Sequence, residues 1–425
     1  MIRGTTLLLT ATLFLSGCST RERLNPLDPK NTATQGGLAG FNAIAADDVV
    51  EFRWPALSVE GVVGYRVQRW RPGDAPQPLG LADYHAGASA GEDSAVVNDS
   101  TYVYRLVAHL ANGDSAVSPP DTATPGVRRI FVLEANVPSI SRLSPDGRDL
   151  LFERVSDESY VDLELDRNRG LLWLVAETDG LVLRKSEDGA TIGAVLPIGA
   201  PGDVSVSENR GIGWVVSLSE QRVVSFGPDL NDPTPQRWIT AVGSPRVVEA
   251  GSLDPTVWVG NEEGVVYRFR SQDLFLTHQW TLGAGSIRAI ALDESVGCAW
   301  VATRLLDSGG LFYLNPADSS ATLVRTNLSN TADLAVDPQS GDLWLSERGP
   351  SGFGVGRLSR IARSGATLAT VNAIEPYGLD VDPIDGSCWV TDLRSNRLLH
   401  VDRSGAILQS STRLETPYAV RVAVP

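Results

Sequence analysis

Histidine, cysteine and methionine are nearly missing from this chain, with four, three and one copies in 425 residues. Little material is left for metal or redox chemistry, and no cofactor is expected. No His-Glu-x-x-His pair and no Gly-Lys-Ser/Thr phosphate loop occurs, so zinc hydrolysis and nucleotide turnover have no residues to run on. Basic residues are outnumbered, 36 against 51 acidic ones, for a net charge of −15. An acidic surface of that size repels phosphate backbones, so nucleic acid is not expected as a partner. Disorder is excluded as well, because 42% of the residues are hydrophobic and that is enough to build cores.

What is present begins with an export signal. Residues 1–17 carry one basic residue, an apolar run from Leu7 to Leu15 and small residues before Cys18, a run too short to span a bilayer as a helix. Leu15-Ser16-Gly17-Cys18 resembles the lipobox of bacterial lipoproteins. The resemblance implies cleavage before Cys18, lipidation of Cys18 and anchoring in the membrane. Each buried methylene adds about 0.8 kcal/mol, so two or three acyl chains hold firmly. Ser19, in place of Asp, implies the outer membrane, with the facing side left open. Residues 18–37 hold two prolines, clustered Asn and Thr and a Gly pair, and read as an extended tether.

From 38 to 125 short alternating runs replace any helical period. Val49–Trp54, Val63–Trp70 and Thr101–His109 alternate in and out, with turn clusters at Arg71–Asp74 and Ala111–Asp114. The pattern predicts a β-sandwich. With Trp54 in the second strand, GYRVQR at 64–69, TYVYRLVA at 101–108 and SPPDTATP at 118–125, the segment resembles a fibronectin type III domain, Tyr102 standing at the tyrosine corner. Such domains imply a spacer or an adhesion module. No Arg-Gly-Asp occurs.

The remaining segment, 126–425, is organised by an octet: Asp337–Trp344 (DPQSGDLW), with copies at Asp166–Trp173, Ser207–Trp214, Asp293–Trp300 and Asp382–Trp389. Gly251–Trp258 keeps the Trp but moves its turn residues. The tryptophans at 173, 214, 258, 300, 344 and 389 are 41, 44, 42, 44 and 45 residues apart. A strand-rich period of that length predicts propeller blades. Phe131 stands 42 residues before Trp173 and takes the seventh Trp position. Pro417–Val422 aligns with Pro376–Val381, an innermost strand, so the C-terminus is expected to complete the blade begun at Arg128. The expected fold class is therefore all-β, a fibronectin type III-like sandwich followed by a seven-bladed β-propeller. Asp opens the octet's turn and Gly accepts positive φ. Read as calcium ligands instead, the Asp residues would stand one per blade and far apart.

DLAVDPQSGDLWLSE (333–347) and GLDVDPIDGSCWVTD (378–392) resemble blades of the NHL and streptogramin-lyase-like propellers. That group holds enzymes and pure binding platforms. Its lyases imply a central His with carboxylates and magnesium, but His278 falls in an outer strand and His400 in a third strand, so no catalytic residue carries over. Cys298 and Cys388 lie on different blades and opposite strand faces, and read as inert buried thiols without a bridge.

Candidate binding residues come from the repeat itself. Twelve residues before each Trp, where one blade passes to the next, stand Val161, Gly202, Arg246, Arg288, Ala332 and Tyr377, with Tyr418 for the first blade. Three residues after each Trp come Ala176, Ser217, Asn261, Thr303, Glu347 and Asp392. Together these predict a mouth with Arg246, Arg288, Tyr377 and Tyr418, flanked by Glu347 and Asp392. Arg and Tyr are the residue types that anchor interfaces. Solvated loop ends are the competing reading. The functional expectation is non-catalytic binding or scaffolding in the cell envelope, with an envelope protein or glycan as partner. A propeller lyase or hydrolase acting on a polysaccharide or small molecule is the alternative.

Overall fold

Every described element is a β-strand, as the alternation demands, and no helix occurs among the described residues. The computed structural model describes residues 27, 28, 30, 31, 36–55, 61–79, 83–283, 285–305, 309–349 and 355–424. The lipobox with Cys18, and most of the 18–37 stretch, lie outside them. No helix among the described residues is long and apolar enough to cross a membrane. The chain divides into two compact units, the larger of which contains Thr124–Pro425.

The described part of segment 38–125, most of which belongs to the smaller unit, holds two sheets. One joins Asn42–Ala46, Val49–Arg53 and Ala90–Asp93; the other is centred on the long pair Val62–Trp70 and Tyr102–Leu110. Aromatic residues at the inward positions make the core, with Phe52 and Tyr104 rings 5.0 Å apart and Trp54 against Tyr65 at 5.7 Å. Tyr104 is fully buried, and its hydroxyl donates to Asp93.

The larger unit consists of seven four-stranded antiparallel sheets, a β-propeller-like arrangement in which each sheet is called a blade below. Blade 6 shows the plan: Thr331–Val336 innermost, then Leu343–Glu347, Gly356–Ile361 and Thr367–Ile374 outermost. Blade 1 takes Arg129–Glu134, Ser139–Leu143 and Leu150–Val155 from the start of the unit and Pro417–Ala423 from the end of the chain. Phe131 pairs with Arg421 across that junction. Each innermost strand packs beside that of the next blade, and Pro417–Ala423 packs beside Tyr160–Asp166 of blade 2, so the seven strands close a ring.

All six octet tryptophans are fully buried. Each ring leaves its own blade and fills the space to the next; Trp173 packs with Val204, Val206 and Val215 of blade 3. Contact this tight dictates glycine opposite. A Cβ on Gly213 would come within 2.5 Å of the Trp173 ring, and one on Gly147 within 2.2 Å of Trp389. The octet Asp has a second duty beside its turn. Asp293 of blade 5 receives Arg363 of blade 6 (2.7 Å), Asp337 of blade 6 receives Arg403 of blade 7 (2.7 Å), and Asp382 of blade 7 receives Arg128 at the entry to blade 1. The carboxylate of one blade is thus clamped by the guanidinium of the next.

Candidate binding cavity

Antiparallel pairing of an innermost strand with its neighbour should put consecutive residues in register, yet in all seven blades the register slips at one place. The residue passed over is Val161, Gly202, Arg246, Arg288, Ala332 or Tyr418 in six blades; in blade 7 Tyr377 and Gly378 are passed over together. A β-bulge frees one residue from the ladder and re-aims its side chain. The seven positions that lie twelve residues before each Trp, or in the matching place of blade 1, are therefore bulge residues. All seven line one cavity of about 600 Å³ inside the ring.

These residues form the rim, and their distribution is uneven. Arg246 of blade 4 pairs with Glu262 at 2.8 Å, both half exposed. Arg288 of blade 5 is exposed, and Arg304 lines the cavity beside it. Across the ring, Tyr377 and Tyr418 meet edge to face at 6.4 Å. Arg348 stands 4.9 Å over the Tyr377 ring, and the Tyr418 hydroxyl donates to the Tyr160 carbonyl.

Deeper in, carboxylates dominate for a structural reason. An innermost strand has no sheet neighbour on its channel side, so its N–H groups need acceptors. Asp162, Asp203, Asp333 and Asp380 supply them, each accepting from the next blade: Val204 at 2.9 Å, Val248 at 2.6 Å, Leu379 at 3.0 Å and Val422 at 2.8 Å. Two guanidiniums answer this charge. Arg421 donates to Glu164 at 2.9 Å, and Arg167 bridges Asp380 at 3.2 Å and Glu208 at 2.6 Å.

These acids are only partly exposed and lose much of their hydration, which disfavours the charged form. Burial pushes Asp162 up to about 6, with Arg421 opposing. Asp203 is raised well above the carboxylate range by burial and then by Asp162, and Glu249 by burial and then by Glu164. Asp333 and Asp380 are raised by burial against the pull of the same guanidiniums. For Arg421, burial opposes its charge, but Glu164, Asp333, Asp162 and Asp380 outweigh it and hold the group protonated.

Glu347 and Asp392 do not join the rim. Both are buried and both hold the loop that enters their blade, Glu347 accepting from Ser329 N–H and Asp392 from Glu375 N–H at 2.9 Å each. Arg357 adds an ion pair to Glu347 at 2.6 Å. Ser217 and Asn261, at the same position, donate to the Gly199 and Val242 carbonyls. The residue three after the Trp is thus a loop anchor. Flanking carboxylates come instead from Glu177 and from the innermost strands.

Other chemistry-bearing groups are accounted for locally. Asp382, Asp385 and His400 are close enough to hold a metal, but Arg128 already supplies the cation there. His400 lies against Trp389 at 3.9 Å between ring centres, 2.6 Å from the Ser387 hydroxyl, and burial lowers it to about 4. His278 stacks on Trp280 at 5.2 Å in an outermost strand. Cys298 and Cys388 are buried free thiols. By letters alone Gly87–Gly91 spells Gly-x-Ser-x-Gly, but Ser89 precedes the short strand Ala90–Asp93 in the smaller unit. A nucleophile elbow needs a strand-to-helix turn, and none is formed.

No protein-family model and no curated protein matches the sequence. Solved structures do match in shape. A functionally unknown protein from Desulfotomaculum acetoxidans superposes with a TM-score of 0.56 at 13% identity, over 70% of this chain and 99% of that one. A Lactobacillus plantarum protein gives 0.55 at 14% identity, with the same 70% and 99% coverage. The computationally designed Ika8 protein gives 0.50 at 12% identity, over 68% and 85%. Likeness at this level shows the fold, a β-propeller-like all-β architecture.

Proposed function

We propose that this chain is a lipid-anchored binding or scaffolding protein of the bacterial cell envelope. Cys18 is its acylated anchor, a fibronectin type III-like sandwich its spacer and a seven-bladed propeller its binding head, with the outer membrane as its site. The partner is an envelope protein or glycan and enters at the rim built by the bulge residues. One observation supports this reading above the rest: the scaffold repeats from blade to blade, while the seven side chains at the bulges do not. Scaffold positions hold Trp, Asp and Gly for packing and turns; the bulges hold Val, Gly, Arg, Arg, Ala, Tyr and Tyr. Residues freed from the strand ladder and gathered at one mouth are where recognition is free to specialise. The test is capture from envelope extracts with the full lipidated chain. Arg246→Glu combined with Tyr377→Ala should reduce recovery of the captured partner without shifting the thermal transition; unchanged recovery overturns the reading.

A lyase or hydrolase acting on a polysaccharide or small molecule is the second reading. Its support is the contrast between Asp162 and Asp203, raised by burial, and Glu164, ion-paired with Arg421. Carboxyls whose environments differ in this way suit acid and base roles. Turnover of an envelope polysaccharide that Asp203→Asn abolishes would favour it.

A further inference from the structure

The floor of the cavity is closed on one side and open on the other. Directly opposite each Trp, or Phe131, in the ladder stand Glu164, Ser205, Glu249, Ala291, Ala335, Asp380 and Arg421. Blades 7, 1 and 2 fill their share with the Asp380, Arg421 and Glu164 ion pairs and the inserted Arg167. Blades 5 and 6 offer only the methyl groups of Ala291 and Ala335. Beside that opening, Glu249 of blade 4 lines the cavity and forms no ion pair among the described residues. Above it, Arg288 of blade 5 lines the rim, exposed and likewise without an ion pair among the described residues. Glu249 at the bottom, hydrogen-bonded to Ser205 but not ion-paired, and Arg288 at the top line the same cavity on adjacent blades.

The geometry points to a dipolar ligand for this lobe: a primary ammonium lowered onto Glu249, a carboxylate held by Arg288 and a hydrocarbon spacer lying along Ala291 and Ala335. The proposal rests on the reading of the mouth as the binding face. Rim and floor positions are three residues apart along a strand, about 10 Å at roughly 3.3 Å per residue. A spacer of about five methylenes, which with its two charged ends comes close to that span when extended, connects the two levels. Arg288 and the ammonium are charged, and the arriving ammonium offsets the burial that favours the protonated Glu249, so each end should contribute a charge-assisted hydrogen bond. Such chemistry is offered by a free ω-amino acid or by a lysine at the carboxyl end of a polypeptide.

The test is titration calorimetry on the full chain with 6-aminohexanoate, hexanoate and hexylamine, and with an alanine-rich peptide ending in lysine beside its amidated form. 6-Aminohexanoate should bind about tenfold or more tightly than either half-molecule, as one added charged contact of about 1.4 kcal/mol requires. Glu249→Gln should lower its affinity to that of hexanoate, and Arg288→Ala to that of hexylamine, with both variants keeping the wild-type thermal transition. Binding of the acid-ended peptide but not the amidated one names a polypeptide source; binding of 6-aminohexanoate alone names a small molecule. Equal affinity for a half-molecule, or no binding of any probe at millimolar concentration, overturns the inference. If capture at the mouth still depends on Arg246 and Tyr377 while these probes fail, the ligand class falls and the mouth stands. If that double variant captures normally, the mouth itself is wrong.

Discussion

Replacing Arg421 with methionine keeps most of the side-chain volume and removes the guanidinium that the channel acids share. In the structure it donates to Glu164 at 2.9 Å, and its charge also acts on Asp162, Asp333 and Asp380. Removing one partner of a buried ion pair leaves the other uncompensated and costs about 3–5 kcal/mol. For a domain of this size, with an unfolding entropy of about 0.6 kcal/mol/K, that lowers the thermal transition by roughly 5–8 °C. The loss should depend on pH, and its sign follows from linkage. Without Arg421 the folded-state pKa values of Asp162, Asp333 and Asp380 move further above their unfolded values. A carboxyl raised in the folded state favours folding at low pH, and that advantage is lost as pH rises from the unfolded value through the folded one. The penalty should therefore be full at pH 8 and much smaller at pH 5, where the acids take up protons. Urea unfolding of wild type, Arg421→Met and Arg421→Lys at both pH values measures it, with Lys recovering part of the loss. A penalty below about 1 kcal/mol at pH 8, or one equal at both pH values, would refute the argument that this charge neutralises the floor.

Asp162 makes the companion case: raised to about 6 by burial, and facing Arg421, Glu164, Asp203 and the Val204 N–H, it should make wild type lose stability between about pH 4 and 6. Asp162→Asn keeps an acceptor for Val204 and should flatten that slope, read from denaturation midpoints across the window; a slope unchanged would exclude this group. Gly213→Val drives a side chain into the Trp173 ring and should cost about 1–3 kcal/mol as overpacking, partly relieved by Trp173→Phe; additive losses in the double variant would show that the two do not touch. Stopping the chain after Thr416 removes the strand that pairs with Arg129–Glu134 and leaves blade 1 with an open edge. Cooperative unfolding of the large unit should vanish, and an intact thermal transition would contradict closure of the ring.

The repeat was the legible part of the sequence, because packing between blades demands the same residues at the same interval. Phe131 could be placed without a Trp, and the residues twelve before each Trp could be gathered on one rim, from spacing alone. Their being bulges could not be seen: a register slip depends on two strands at once, and alternation reports only one. From sequence Glu347 and Asp392 flank the mouth because they stand at the end of a strand, where a side chain in water and one turned back under the incoming loop look alike. Invisible too were the stapling acids and the Arg clamps. Asp333 and Asp380 occupy different ladder levels in neighbouring blades, and Arg363 stands 70 residues from Asp293, so only the closed ring brings each to its partner.

Recognition at the bulge rim is tested most directly by site-specific photo-cross-linking in the native membrane. Diazirine side chains at Val161 and Ala332 sample the rim; the same group at Asn168 and Ile384 samples the turns at the far end of the innermost strands. Cross-links to one common envelope partner from both rim positions, and none to it from the far turns, are the predicted result. Capture of that partner from Asn168 and Ile384 alone would contradict the claim.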